Sequence, residues 1–165
     1  MNRKLLLICI SFCFFLSTCL KNDLSMKDGY YTAEMAEYDA SGWKEFVTIR
    51  VSGGKIIHVE YDAKNLSGYI KSWDMDYMRI MSNEKGIYPS AYFRYYSGEL
   101  LQRQSAEGID AVTGATDSYK LFILLSDAVL ESAHLGETGI KLVSYPVSAV
   151  QNSIPDEQKS DKENF

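Results

Sequence analysis

The segment from Glu45 to Tyr61 constrains the fold more than any other part of the chain. Val47, Ile49 and Val51 alternate with Phe46, Thr48 and Arg50, the period-two pattern of a strand with one face in a core and the other in water. Gly53-Gly54 follows, a pair able to take the positive φ of a tight turn, and Ile56 to Tyr61 reads as the return strand. The result is a hairpin with one apolar face, which needs further elements to cover it.

Those elements follow downstream. From Tyr69 to Asn83, Ile70, Trp73, Tyr77 and Met81 recur at three- or four-residue spacing with Met78 alongside, which predicts a short helix. Met75, Met78 and Met81 read as core filler, since no His or Cys accompanies them as copper ligands would require. Pro89 suits the first turn of a second helix running to about Gln104, with Tyr92, Phe93, Tyr96, Leu100 and Leu101 as its apolar face. A third helix follows Asp117-Ser118-Tyr119 and runs to about His134, burying Leu121, Phe122, Leu125, Ala128, Val129 and Ala133 and ending at Gly136 and Gly139. Asp28 to Glu34 opens with a turn and a β-rich run, and Lys141 to Val147 is a last strand. The expected class is α+β, an antiparallel sheet packed against helices in a single domain over residues 28–148.

Both ends of the chain lie outside that domain. Arg3 and Lys4 precede an apolar run from Leu5 to Leu16, about twelve residues against the ~20 that a spanning helix needs, so residues 1–18 read as a lipoprotein signal peptide. Leu16-Ser17-Thr18-Cys19 resembles a lipobox, with Thr18 where Gly, Ala or Ser is usual, and makes Cys19 the expected lipidation site of a tether over residues 19–27. An ordinary signal cleaved nearby is the alternative. Residues 149–165 are polar and charged and read as a disordered tail.

These assignments exclude some chemistry. Cys9 and Cys13 leave with the signal and Cys19 is lipidated, so the mature chain has no free thiol and no disulfide. His58 and His134 are far apart and give no metal-ligand spacing, so no metal site is expected. With a formal net charge of −5 and no basic cluster, the chain is a poor nucleic-acid binder. Redox chemistry, if present, comes from a cofactor.

Asp110-Ala111-Val112-Thr113-Gly114-Ala115-Thr116 supplies the candidate. The stretch matches the pattern D-x-x-[ST]-G-A-T and resembles the FMN-binding domains found in the extracytoplasmic flavoprotein subunits of Rnf and sodium-pumping NADH:quinone oxidoreductase complexes and in small electron-transfer lipoproteins. The likeness extends over roughly Asp28 to Leu135. It includes Asp28-Gly29-Tyr30-Tyr31, the hairpin Gly54-Lys55-Ile56 and the stretch Gly68-Tyr69-Ile70-Lys71-Ser72-Trp73-Asp74. The resemblance implies that a flavin transferase joins FMN covalently, through its phosphate, to Thr116. Asp110, Thr113, Gly114, Ala115 and Thr116 would be what the transferase recognises.

The residue types suit that role. Gly114 and Ala115 keep the neighbourhood of the hydroxyl small, and Gly114 admits backbone conformations closed to other residues. Thr116 is expected just before a helix, whose N–H groups and dipole favour a phosphate, with Thr113 and Ser118 as further hydrogen-bond donors. Asp110 is expected to position a metal or the loop during transfer, because contact between two anions is repulsive. Trp73 is expected to touch the flavin because it sits in the family-like stretch Ser72-Trp73-Asp74. Tyr77, Tyr92, Phe93, Tyr95 and Tyr96 are open to either a flavin wall or the core. A plain helix cap at Thr116 or Asp117 is the competing explanation for Thr, Asp and Ser at this place.

The expected function is electron transfer by a lipid-anchored flavoprotein on the extracytoplasmic side of a membrane in the cell envelope. Its partners would be the membrane through the anchor, the flavin transferase, a membrane electron donor and an exported acceptor. It would be a carrier and not a stand-alone enzyme. Two other readings stand beside this one: a non-redox surface lipoprotein or binding module with an unused flavin site, and a small flavin-dependent reductase.

Overall fold

The computed structural model of the protein describes residues 25–145, which form a four-stranded mixed sheet and three α-helices. The α+β expectation holds. The lipobox with Cys19, the signal peptide and the polar tail lie outside the described residues, as does the end of the strand expected to reach Val147. Among the described residues, no helix is long and apolar enough to cross a membrane.

Strands β1 (Gly29–Met35), β2 (Lys44–Ser52) and β3 (Lys55–Lys64) form an antiparallel meander, and β4 (Ile140–Val143) lies beside β1, giving the order β3-β2-β1-β4. The expected hairpin is present. Val47, Ile49 and Val51 are buried, and Gly53 and Gly54 take φ of 61° and 71° in the turn. The register shifts between Arg50 and Val51, where Arg50 pairs with His58 but Val51 with Ile56. At that bulge the Gln104 side chain accepts from Ile56 N at 2.7 Å and donates to Ile56 O at 2.9 Å, standing in for a missing strand partner.

The sheet differs from expectation in one pairing, since β4 runs parallel to β1. The cause is chain direction. Helix α3 (Thr116–Leu135) carries the chain back across the sheet, so the next strand starts level with Thr32, which pairs with Ile140, and must run the same way as β1.

Helices α2 (Pro89–Arg103) and α3 cover the inner face. Tyr92, Phe93, Tyr96 and Leu100 of α2 and Leu121, Phe122, Leu125, Val129 and Ala133 of α3 are buried, each large apolar side chain contributing roughly 1.5–3 kcal/mol. Leu101 faces outward and Ala128 is half-buried. At the core Tyr61 meets Phe93 edge-on with ring centres 4.7 Å apart, and Tyr96 stacks on Phe122 at 5.0 Å.

The single helix expected over Tyr69–Asn83 is two elements: a 3-10 turn at Lys71–Trp73 and α1 (Met75–Lys85). Asp74 separates them, with extended backbone at ψ 91°, and its Oδ1 accepts from Tyr77 N at 2.9 Å as the cap of α1. The apparent stripe therefore spans two axes. Met78 is buried, Met81 is half-buried and Met75 is exposed, so only Met78 fits the core-filler reading outright.

The first described residues and Thr116 lie at opposite poles of this fold. Lys27 N donates to Ala133 O at 2.9 Å at the end of α3, and Ser25 lies against the hairpin turn at Gly54. Thr116 opens α3 at the other pole, where Glu45 pairs with Ala63 at the far end of β2 and β3.

Candidate functional site

The Asp110–Thr116 loop is held by two tyrosine hydroxyls. Val112 N donates to Tyr96 Oη at 2.9 Å, and Tyr119 Oη donates to Ile109 O at 2.9 Å. Ala115 N then donates to Val112 O at 3.0 Å and closes a turn. Gly114 has φ 84°, and a β-carbon there would stand 3.0 Å from Ile87 Cγ2 and 3.3 Å from Lys85 O. The motif needs glycine here for backbone conformation and also for space.

Thr116 is the first residue of α3, not the residue before it. The cap is Ala115, buried and unable to offer a side-chain oxygen, so neither Thr116 nor Asp117 caps the helix. Thr116 is exposed and makes no side-chain hydrogen bond among the described residues. A plain capping role therefore does not explain the threonine.

Thr116 stands on the wall of a cleft of about 580 Å³, a size in the range of small-molecule and cofactor sites. Gly114, Ala115, Thr116 and Ser118 line the cleft together with the cationic and aromatic side chains of Lys71, Tyr77, Lys85 and Tyr92. Lys71 is buried, with its ammonium 5.1 Å from the centre of the Tyr77 ring and 5.6 Å from that of Trp43.

Other expected site residues fall elsewhere. Trp73 does not line the cleft; it is 65% exposed and meets Tyr69 edge-on at 6.3 Å, because the helix begins only after Asp74. Asp110 and Thr113 are exposed loop residues beyond the cleft lining. Ser118 lines the cleft, but its Oγ donates to Glu45 Oε1 at 3.0 Å. Of the aromatics, Tyr77 and Tyr92 line the cleft, Phe93 and Tyr96 belong to the core, and Tyr95 is exposed.

The periodicity also contains a residue not read as functional. Glu45 is buried in the cleft wall, one step back on the inward-facing set Val47, Ile49, Val51. Its Oε2 is hydrogen-bonded to the Tyr61 hydroxyl, which is also hydrogen-bonded to Ser118 O at 2.7 Å. Burial pushes the Glu45 carboxyl up to about 7, against the opposing pull of Tyr61, Lys71 and Ser118. Burial also raises the phenols of Tyr61 and Tyr92. A charged residue in the buried phase of a strand was the available signal.

The fold and cleft define a small α+β domain with a ligand-sized opening beside a helix start. No family model matches the chain. It is 41% identical over 113 residues to the 15 kDa lipoprotein of Treponema pallidum (strain Nichols), an alignment covering 68% of this chain and 80% of that protein, and it belongs to that lipoprotein's family. The crystal structure of a Clostridium perfringens protein is similar, with 38% identity and a TM-score of 0.70 over 73% of this chain and 99% of the other.

Proposed function

We propose that the chain is a membrane-anchored electron carrier that holds FMN covalently on Thr116. One observation carries this reading: an exposed threonine hydroxyl, with no side-chain partner among the described residues, opens an uncapped helix on the wall of a cofactor-sized cleft. A phosphate on that hydroxyl would sit where helix N–H groups and dipole favour negative charge, with Lys71 and Lys85 in the lining of the same cleft. Tyr77 and Tyr92 would offer apolar surface to the ring.

The relation to a lipoprotein supports a membrane anchor; the proposal puts that anchor at Cys19 and the domain on the extracytoplasmic side. When bound, FMN would supply the redox chemistry, and the protein would hold and orient it between a membrane donor and an exported acceptor. Covalent attachment keeps the cofactor's effective concentration high where a free one would diffuse away.

Intact-mass measurement of the full chain, co-expressed with a flavin transferase, tests the reading. The expected result is a gain of one FMN in phosphoester linkage, lost in Thr116→Ala and retained in Thr116→Ser. The same mass for wild type and Thr116→Ala would overturn it and favour a surface lipoprotein with an unused site.

A further inference from the structure

The polar ring at the base of the cleft has too few protons if Glu45 is ionised. Ser118 Oγ, at 3.0 Å, gives its proton to Glu45 Oε1. The Tyr61 hydroxyl touches two acceptors, Glu45 Oε2 and Ser118 O, yet carries a single proton. With one proton added on Glu45 Oε2, every partner is matched: Glu45 donates to Tyr61, Tyr61 to Ser118 O, and Ser118 to Glu45. Buried networks are favourable when fully satisfied, so hydrogen-bond geometry alone argues for a neutral carboxylic acid.

We propose that Glu45 carries this proton in the resting protein and binds it more tightly when negative charge enters the cleft, making Glu45 the residue that links the potential of a group held on Thr116 to pH. The inference rests on the FMN-carrier reading. Glu45 is a positioning and proton-holding residue, and it acts through charge.

Every neighbouring element bears on that proton. Tyr61 faces Glu45 from β3, Lys71 from the 3-10 turn and Asp39 from the β1–β2 loop. Tyr77 and Lys85 of α1, Tyr92 of α2, Asp117 of α3 and Tyr145 face the same cleft. Lys71 favours the ionised carboxylate, whereas Asp39 and burial oppose it, which leaves the group poised near neutrality instead of locked in one state. An electron delivered by a reductant without its own proton adds one negative charge to the cleft. In those molecules whose Glu45 is ionised at the working pH, the carboxylate then takes up one proton from solvent and offsets that charge. Linkage requires the converse: protonation of Glu45 makes reduction easier.

The test is infrared spectroscopy of the full-length, FMN-loaded protein, oxidised and then reduced with dithionite, across about pH 5 to 9. Intact mass is measured on the same sample. We expect a protonated-carboxyl band, absent in Glu45→Gln, whose titration midpoint rises on reduction by on the order of one pH unit, a tenfold gain in proton affinity. Should Glu45→Gln not fold, Ser118→Ala identifies the band by shifting its frequency through loss of the bond to Oε1. A loaded protein whose band titrates identically in both redox states, or shows no such band, would overturn the coupling alone. Absence of added FMN would overturn the carrier reading and the coupling with it.

Discussion

The Val112 amide donates to the Tyr96 hydroxyl at 2.9 Å, so the loop that presents Thr116 is anchored to the aromatic core and not to its own backbone alone. Tyr96→Phe keeps the stacking on Phe122 and removes only that acceptor. We expect a loss of about 1 kcal/mol in urea unfolding and slower transfer of FMN to Thr116 followed by mass spectrometry.

Gly114→Ala should cost roughly 1–2 kcal/mol from its φ of 84° alone. Contact with Ile87 Cγ2 adds to that cost. Adding Ile87→Ala relieves the contact with that side chain and leaves the conformational part and the 3.3 Å approach to Lys85 O, so the double mutant should deviate from additivity in a denaturation cycle.

Glu45 gives stability a pH dependence of unusual sign for a carboxylate. Its folded value of about 7 lies above the ordinary 4.5, so the folded state binds the proton more tightly than the unfolded chain. Stability should therefore be highest with respect to this group below about pH 4.5 and fall by about 3 kcal/mol as pH rises to about 7, then level off. Glu34, in ion pairs with Lys44 and Lys64 that lower its titration despite burial, acts oppositely and loses its contribution as pH falls through its lowered range. Chemical denaturation of Glu45→Gln across this range should remove the decline towards neutrality and keep the loss in acid.

Trp73→Ala should change stability by no more than about 0.5 kcal/mol and leave FMN loading and the flavin absorbance spectrum unchanged, because the ring points to solvent away from the cleft. Tyr77→Ala should perturb that spectrum, since Tyr77 lines the cleft under the Lys71 ammonium. The opposite pattern would show that the aromatic wall had been placed on the wrong residue.

What the sequence made legible depended on how local each signal was. The hairpin could be read because Val47, Ile49 and Val51 alternate ahead of a Gly-Gly turn, and α3 because its buried stripe runs from Leu121 to Ala133. The stretch Tyr69–Asn83 reads as one helix because three-to-four spacing carries straight through Asp74, although an aspartate ahead of a helical run is also a cap. The parallel pairing of β4 has no local signature; it follows from the direction in which α3 delivers the chain. Glu45 was visible as the odd member of an apolar series, but Tyr61 and Ser118, its partners, lie 16 and 73 residues away.

Helix α3 runs from the cleft to the residues where the chain enters the fold, twenty residues or ~30 Å at 1.5 Å per residue. For a chain held at a bilayer through Cys19, this makes the domain a spacer as well as a container. The proposed FMN-bearing end would be lifted clear of the headgroups and offered outward. On the proposed reading a donor buried in the membrane would have to reach up by about that height, or the domain would have to tip over on its lipid foot, and shortening residues 19–24, which leaves the packed Met26 and Lys27 in place, should slow reduction by such a donor more than delivery to a soluble acceptor.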